Sequence, residues 1–167
     1  MFLGSRSWLQ CADLIRRGAT FHGLPSVVNH GTMEIGDNFF FRSSPIQSHI
    51  DVKRCGKLVI GDRVVIGHGS GISSHHSVEI GDDVLIGPFV LIMDTDHHYP
   101  GNRSAEQARG PIFIGSGCRI GPHATVLRGA HIGEGAYVEA GSVVSGWIAP
   151  GARVSGVMAR ERAPRTA

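Results

Sequence analysis

The chain has little of what several functional classes require. Its 3 cysteines are an odd number at wide spacing, which predicts reduced thiols and a cytoplasmic location. The formal net charge is only +2 and no long run of Lys and Arg is present, so nucleic acid is not an expected partner. No segment approaches the roughly 18 consecutive apolar residues of a transmembrane helix. The first residues also lack the charged and apolar regions of a secretory signal.

Glycine, by contrast, is abundant and recurs in a fixed context. The chain has 24 glycines, and eight of them directly follow an isoleucine. From 114 to 144 an aliphatic residue stands at every sixth position: Ile114, Ile120, Val126, Ile132, Val138 and Val144. Four residues after each of the first five stands a small residue: Cys118, Ala124, Ala130, Ala136 and Ser142. A period of six is typical of a hexapeptide β-solenoid, not of a helix or an alternating strand.

A second period groups these hexads in threes. Ile60 and Ile66 precede a glycine whereas Ile72 does not, and the same order repeats from 80 and from 114. A unit of 18 residues predicts one turn of a three-sided coil, with the aliphatic residues pointing inward and stacking along the axis. The small residues are expected where the wall bends. Gly, Asp and Asn near the corners are expected to allow the backbone angles of tight turns.

The spacing also divides the chain. Residues 1–32 lack the hexad and are expected to cap the first coil with a short helix that includes Trp8 and Ile15. Residues 33–156 are predicted to form the solenoid, and residues 157–167 a basic tail. Because Ile80 and Ile114 are 34 residues apart, 16 residues are inserted into one coil, in a polar, turn-rich loop over 93–110. A long loop on a rigid scaffold is where function is expected.

Together these features resemble the hexapeptide-repeat acetyltransferases, in particular the maltose, galactoside and capsular-sugar O-acetyltransferases. The matching stretches are 58–92, the Asp-Thr-Asp-His-His sequence at 94–98, and 111–162. The ending Val-Ser-Gly-Val-Met-Ala-Arg at 154–160 has Met158 where the family usually has Pro, and Arg119 stands where many members have Trp. The resemblance implies an all-β fold, a left-handed parallel β-helix. It also implies a homotrimer with active sites at the subunit interfaces.

The reaction that the resemblance implies is direct transfer of acetyl from acetyl-CoA to a hydroxyl of a sugar or polysaccharide precursor. A protonated hydroxyl is a poor nucleophile, so a base is needed, and an imidazole with a pKa of about 6.5 suits neutral pH. The resemblance places this base at His97, with the adjacent His98 as the alternative. Asp94 and Asp96 either orient the imidazole or only form turns.

Other residues are candidates for binding the two substrates. The phosphates of CoA need cations, and the resemblance implies Arg160 and Arg162 in the tail for this role, because the family has Lys or Arg there; Arg128 is a weaker candidate. His76, Arg103 and Arg109 are candidates on the acceptor side. Structural roles stay open for them: His76 falls in the small-residue column, and the arginines could only solvate the loop and the tail. No metal is expected, and Cys118 is predicted to pack in the core.

Rival functions use the same coil. Within acetyl transfer, the acceptor could be the amino group of a nucleotide sugar or the hydroxyl of an antibiotic. A γ-class carbonic anhydrase holds zinc with three histidines across a trimer interface, but the histidines here form adjacent pairs, at 75–76 and 97–98, rather than the spacing of that class. The third alternative is a non-catalytic scaffold, which stabilisation by acetyl-CoA would separate from an enzyme.

Overall fold

The chain forms a three-sided parallel coil. The computed structural model describes residues 13–96 and 110–157, in which the regular elements are twenty strands, β1 to β20. Each strand pairs in parallel with the strands three places before and after it, so the strands form three sheets, one on each side of a prism. The predicted left-handed parallel β-helix is confirmed, with six complete coils and two strands of a seventh. Within the described ranges, no helix has the length and apolarity needed to cross a membrane.

The three sheets take their strands in strict rotation. The first sheet contains β1 (Leu14–Ile15), β4 (Thr32–Ile35), β7 (Lys57–Ile60), β10 (Ser77–Ile80), β13 (Ile112–Ile114), β16 (His131–Ile132) and β19 (Trp147–Ile148). The second contains β2 (Thr20–Gly23), β5 (Phe40–Ser43), β8 (Val65–Ile66), β11 (Leu85–Ile86), β14 (Arg119–Ile120), β17 (Tyr137–Val138) and β20 (Arg153–Val154). The third contains β3 (Ser26–Asn29), β6 (His49–Val52), β9 (Gly71–Ser74), β12 (Leu91–Met93), β15 (Thr125–Leu127) and β18 (Val143–Val144).

The core is a stack of aliphatic columns inside the prism. In the first sheet, the inward residues in register are Ile15, Ile35, Ile60, Ile80, Ile114, Ile132 and Ile148. All but Ile15 are buried, and burial of each such side chain contributes about 1.5–3 kcal/mol. The small residues are buried as well: Cys118, Ala124, Ala130, Ala136 and Ser142. The inward and small positions that the period of six predicted over 114–144 are therefore confirmed residue by residue.

The coil starts earlier than the hexads predicted. Strands β1, β2 and β3 form a complete first coil within the segment that was expected to be a cap, and Ile15 lies in a strand rather than a helix. Trp8 and the rest of 1–12 lie outside the described residues. Phe21 fills the inward position of this coil and packs edge-on against Phe39 and Phe41, with ring centroids 6.1 Å away in both cases. In this coil Phe21, which no glycine follows, therefore takes the inward position that an Ile-Gly pair has in the regular coils.

Glycine is required in the Ile-Gly pairs for a reason other than the backbone angles that were expected. None of these glycines has a positive φ; the positive φ angles belong to residues two places later, including Arg63, Asp83 and Gly117. What excludes a side chain is the next coil. A Cβ on Gly81 would lie 2.7 Å from the backbone nitrogen of Ser116, and a Cβ on Gly115 would lie 2.6 Å from that of Glu134. The pairs thus mark close approach of successive coils at the corners.

Candidate functional site

The long insertion leaves the coil at the third sheet and is tied at its base. It follows β12 and ends before β13, and residues 97–109 lie outside the described residues. The N–H of Gly110 donates to the carbonyl of Asp94 (3.0 Å), which joins the two ends of the insertion. The N–H of Gly129, in the next coil, donates to the carbonyl of Gly110 (3.2 Å). The start and end of the loop are therefore fixed to each other and to the scaffold.

Asp94 is the most buried ionisable side chain at this base. It is 0% exposed, and both of its carboxylate oxygens accept hydrogen bonds. The backbone N–H of His75 donates to Oδ1 and that of His76 donates to Oδ2, each at 2.7 Å. The hydroxyl of Ser74 lies 3.3 Å from Oδ2 and 2.8 Å from the carbonyl of Lys57. Asp94 therefore holds the backbone of the preceding coil, a use that neither of its two predicted roles included.

The segment that Asp94 holds is an enlarged corner. Ile60 and Ile80 are 20 residues apart, two more than in a regular coil, and the extra residues fall here. All of β9, including Ser73 and Ser74, is buried, whereas His75 is half-buried and His76 is exposed. The expectation that His76 occupies the small-residue column is wrong, because the buried position at this corner belongs to Ser74. His76 instead stands on the surface next to the base of the insertion.

Asp96 and Arg128 form an ion pair beside this base. Arg128 Nε lies 2.6 Å from Asp96 Oδ2, and the two side chains are 32% and 35% exposed. Arg128 follows β15, so the pair links the start of the insertion to the next coil. A cleft of about 400 Å³ opens there, lined by Asp96, Leu127, Arg128, Gly129, Ser145 and Gly146. Two candidates that were predicted for different roles thus lie in direct contact.

The structure brings together only part of the predicted site. Asp94, the His75–His76 corner and the two ends of the insertion are in contact, and Asp96 meets Arg128. Six predicted site residues lie outside the described residues: His97, His98, Arg103, Arg109, Arg160 and Arg162. No role of Ser74 was predicted from the sequence, and Gly110 was predicted only as the end of the loop. The 20-residue spacing from Ile60 to Ile80 was the one signal of an unusual corner.

Elsewhere the described part of the chain offers little further chemistry. Cys118 is fully buried, as predicted, with Sγ 3.0 Å from the carbonyl of Gly133, and burial raises the pKa of its thiol. His68 and His123 pack on the ring of Phe89 at the surface of the coil, with centroid distances of 5.2 and 4.8 Å. Over residues 13–96 and 110–157, no three His, Cys, Asp or Glu side chains are grouped to hold a metal ion.

Comparison with known proteins identifies the family. The family model described as bacterial transferase hexapeptide (six repeats) matches residues 111–146, and the hexapeptide repeat of succinyl-transferase matches 57–87. WbbJ of Escherichia coli K12, named as an O-acetyl transferase of lipopolysaccharide biosynthesis, is 31% identical over 145 residues, which are 79% of this chain and 71% of WbbJ. The chain belongs to the hexapeptide-repeat acetyltransferases.

Two further relatives are longer than the region they share with the chain. A Mycobacterium tuberculosis protein named as an acetyltransferase is 28% identical over 141 residues, or 74% of this chain. The match covers 47% of that relative, so the chain spans about half of its length. Galactoside O-acetyltransferase of Escherichia coli K12 is 36% identical over 91 residues, which cover 53% of this chain and 45% of that enzyme.

Solved structures share the fold of this hexapeptide-repeat chain. A variant of AntD, an N-acyltransferase from Bacillus cereus in complex with dTDP and coenzyme A, superposes with a TM-score of 0.80 at 19% identity, over 99% of this chain and 91% of AntD. A hexapeptide-repeat acetyltransferase from Vibrio cholerae gives a TM-score of 0.56 at 23% identity, over 92% of this chain and 73% of that one. At these identities the likeness concerns the architecture.

Proposed function

We propose that this protein transfers acetyl from acetyl-CoA to a hydroxyl of a sugar or polysaccharide precursor. The observation that carries the proposal is the insertion at 93–110, anchored at its base by Asp94 on a rigid coil, in a chain 31% identical to an O-acetyl transferase. A rigid scaffold that presents one long loop suits a reaction in which two substrates must be held in contact. The predicted compartment stays the cytoplasm, where acetyl-CoA is available.

The chemistry requires one base and no covalent intermediate with the protein. The base takes the proton of the acceptor hydroxyl as its oxygen forms a bond to the thioester carbonyl carbon. The resulting oxyanion collapses, the carbon–sulfur bond breaks, and the imidazolium returns the proton to the departing CoA thiolate. The base in this proposal is His97, with His98 as the alternative. Backbone N–H groups of the coil are suited to stabilise the oxyanion.

We assign different roles to the two aspartates in this proposal. Both oxygens of Asp94 accept backbone N–H groups, so its carboxylate serves the scaffold. Asp96 is closer in sequence to both histidines and is only partly exposed, which favours it as the group that orients the imidazole. Its ion pair with Arg128 would hold the carboxylate in place for that role.

The substrates are assigned to opposite sides of the insertion. Arg128 borders the 400 Å³ cleft and, together with Arg160 and Arg162 of the tail, is proposed to bind the phosphates of CoA. His76, exposed beside the insertion, is proposed to contact the acceptor, with Arg103 and Arg109 of the loop. We also propose a homotrimer, because the flat faces of the prism carry exposed apolar side chains such as Leu85 and Trp147.

The test is an assay of CoA release from acetyl-CoA with a panel of hexoses, hexosamines and their UDP and dTDP conjugates. The proposal expects release with an acceptor that has a free hydroxyl, and an acetyl product that mild alkali removes as an ester. An alkali-stable amide product would replace O-transfer by transfer to an amino sugar. No release with any acceptor, together with no rise of Tm on addition of acetyl-CoA, would show a scaffold without this activity.

A further inference from the structure

Asp94 connects three parts of the chain through three different groups. Its carboxylate accepts the N–H groups of His75 and His76 in the preceding coil (2.7 Å each), and its carbonyl accepts the N–H of Gly110 at the far end of the insertion (3.0 Å). Its own N–H points to the carbonyl of Ser73 (3.4 Å). The enlarged corner and both ends of the insertion therefore meet at one residue.

The carboxylate of Asp94 offers two acceptor oxygens to the two backbone donors of the corner, which an amide side chain does not. A fully buried charge is costly unless hydrogen bonds satisfy it, and here each oxygen has a short bond from a backbone donor. An amide of the same shape offers one acceptor oxygen and one NH₂ group. The NH₂ group would face a backbone N–H, so one donor of the corner would lose its partner.

The backbone that the carboxylate binds carries an exposed imidazole. His76 is bonded to Asp94 only through its backbone, and its side chain stands on the surface next to the insertion. A shift of the corner by a fraction of an ångström would move this imidazole relative to the insertion. Misplacement of a binding or reacting group by about 1 Å can lower a rate about a hundredfold.

We propose that Asp94 is a positioning residue that acts through the 75–76 corner, fixing His76 beside the two described ends of the insertion so that it engages the acceptor. This inference rests on the proposed function and adds to it the residue that fixes the acceptor side. It predicts that Asp94 influences acceptor use through His76 and leaves the use of acetyl-CoA nearly unchanged.

The test is a double-mutant cycle of Asp94→Asn and His76→Ala, measured with acetyl-CoA and the acceptor of the panel that turns over fastest. Asp94→Asn is expected to raise the acceptor KM at least tenfold and the acetyl-CoA KM less than twofold. In the His76→Ala background, Asp94→Asn should add less than a further twofold, because the group it positions is already absent.

The matched control is Asp82→Asn, at a corner away from the insertion. There Asp82 Oδ1 accepts the backbone N–H of Asp62 at 2.7 Å, and the amide oxygen of an asparagine can keep this single bond, so the variant controls for the loss of the negative charge at a corner. Asp82→Asn should leave both KM values within twofold of wild type and its effects should add to those of His76→Ala. Hydrogen exchange at the amide of 75 or of 76 should become faster in Asp94→Asn and at neither in Asp82→Asn, which checks that one bond of the corner was lost.

Each outcome of the cycle decides the inference. Additive effects of Asp94→Asn and His76→Ala, or equal rises of both KM values, would overturn it while leaving the proposed function intact. A wild-type protein that transfers acetyl to no acceptor would overturn the proposed function, and the inference with it. If Asp94→Asn does not fold, Asp94→Glu, which keeps two carboxylate acceptors but displaces them by one methylene, is measured by the same criteria.

Discussion

At the scale of single residues, two thiols of the chain lie in opposite environments. Cys118 is fully buried and its pKa is raised by burial, whereas Cys55 is exposed. Because the thiolate is the reactive form, iodoacetamide at pH 8 should alkylate Cys55 in the folded protein and Cys118 only after denaturation. Peptide mass spectrometry over a time course measures both sites. Equal rates of alkylation in the folded protein would contradict the buried position of Cys118.

The ion pair of Asp96 with Arg128 gives a second prediction at this scale. Both side chains are about a third exposed, so Arg128→Ala should change the free energy of unfolding by less than about 1 kcal/mol. If Arg128 holds a phosphate of CoA, the same change should raise the acetyl-CoA KM severalfold. Arg153→Ala is the control, because Arg153 forms an ion pair of the same 2.6 Å length with Glu139 that joins the last two coils. Equal KM values in the two variants would remove Arg128 from the cofactor site.

Residue roles at the base of the insertion could be predicted only in part. The sequence pointed to Asp94 as important, but its partners depend on the register between the third and fourth coils. That register includes two extra residues at the 73–76 corner, which a repeat of six does not place. The packing of Cys118, in contrast, could be predicted from the period of six alone, because the buried residues around that position follow the same period.

At the scale of the repeating element, the small-residue column predicts a sharp response to size. Ala130 is 1% exposed inside a corner, so Ala130→Leu should force the wall apart and lower the free energy of unfolding by about 1–3 kcal/mol. Ala149, which is exposed at a corner of the last coil, provides the control Ala149→Leu, with an expected change below about 0.5 kcal/mol. Urea denaturation measures both. Similar stabilities of the two variants would contradict the packing of the column.

The regular hexads were predictable at this scale, and the first coil was not. Ile15, Phe21 and Val27 are six residues apart, but an aromatic residue and the absence of Ile-Gly pairs concealed the period. In the structure these three residues nevertheless occupy the inward positions of the first coil. The role of glycine was also inferred for the wrong reason, because close approach between coils cannot be read from one coil.

At the scale of the whole molecule, exposed apolar side chains on the prism faces support the prediction of a homotrimer. Trp147 is 69% exposed at the end of the first sheet and Leu85 is 42% exposed on the second. Such side chains on flat faces are suited to contact with further copies around a closed axis. Light scattering coupled to size exclusion should give about three times the 17.8 kDa of one chain. A monomer at micromolar concentration would contradict the proposed trimer and any site shared between subunits.

The central claim is that an imidazole of the insertion acts as the base in acetyl transfer. The most direct test is kcat for CoA release by wild type, His97→Ala and His98→Ala, with acetyl-CoA binding measured in parallel by calorimetry. His97→Ala should lose at least a hundredfold in kcat, the scale of general base catalysis, and keep its affinity for acetyl-CoA. His98→Ala should stay within tenfold of wild type, and the reverse order would move the base by one residue. Wild-type turnover in both variants would contradict the claim.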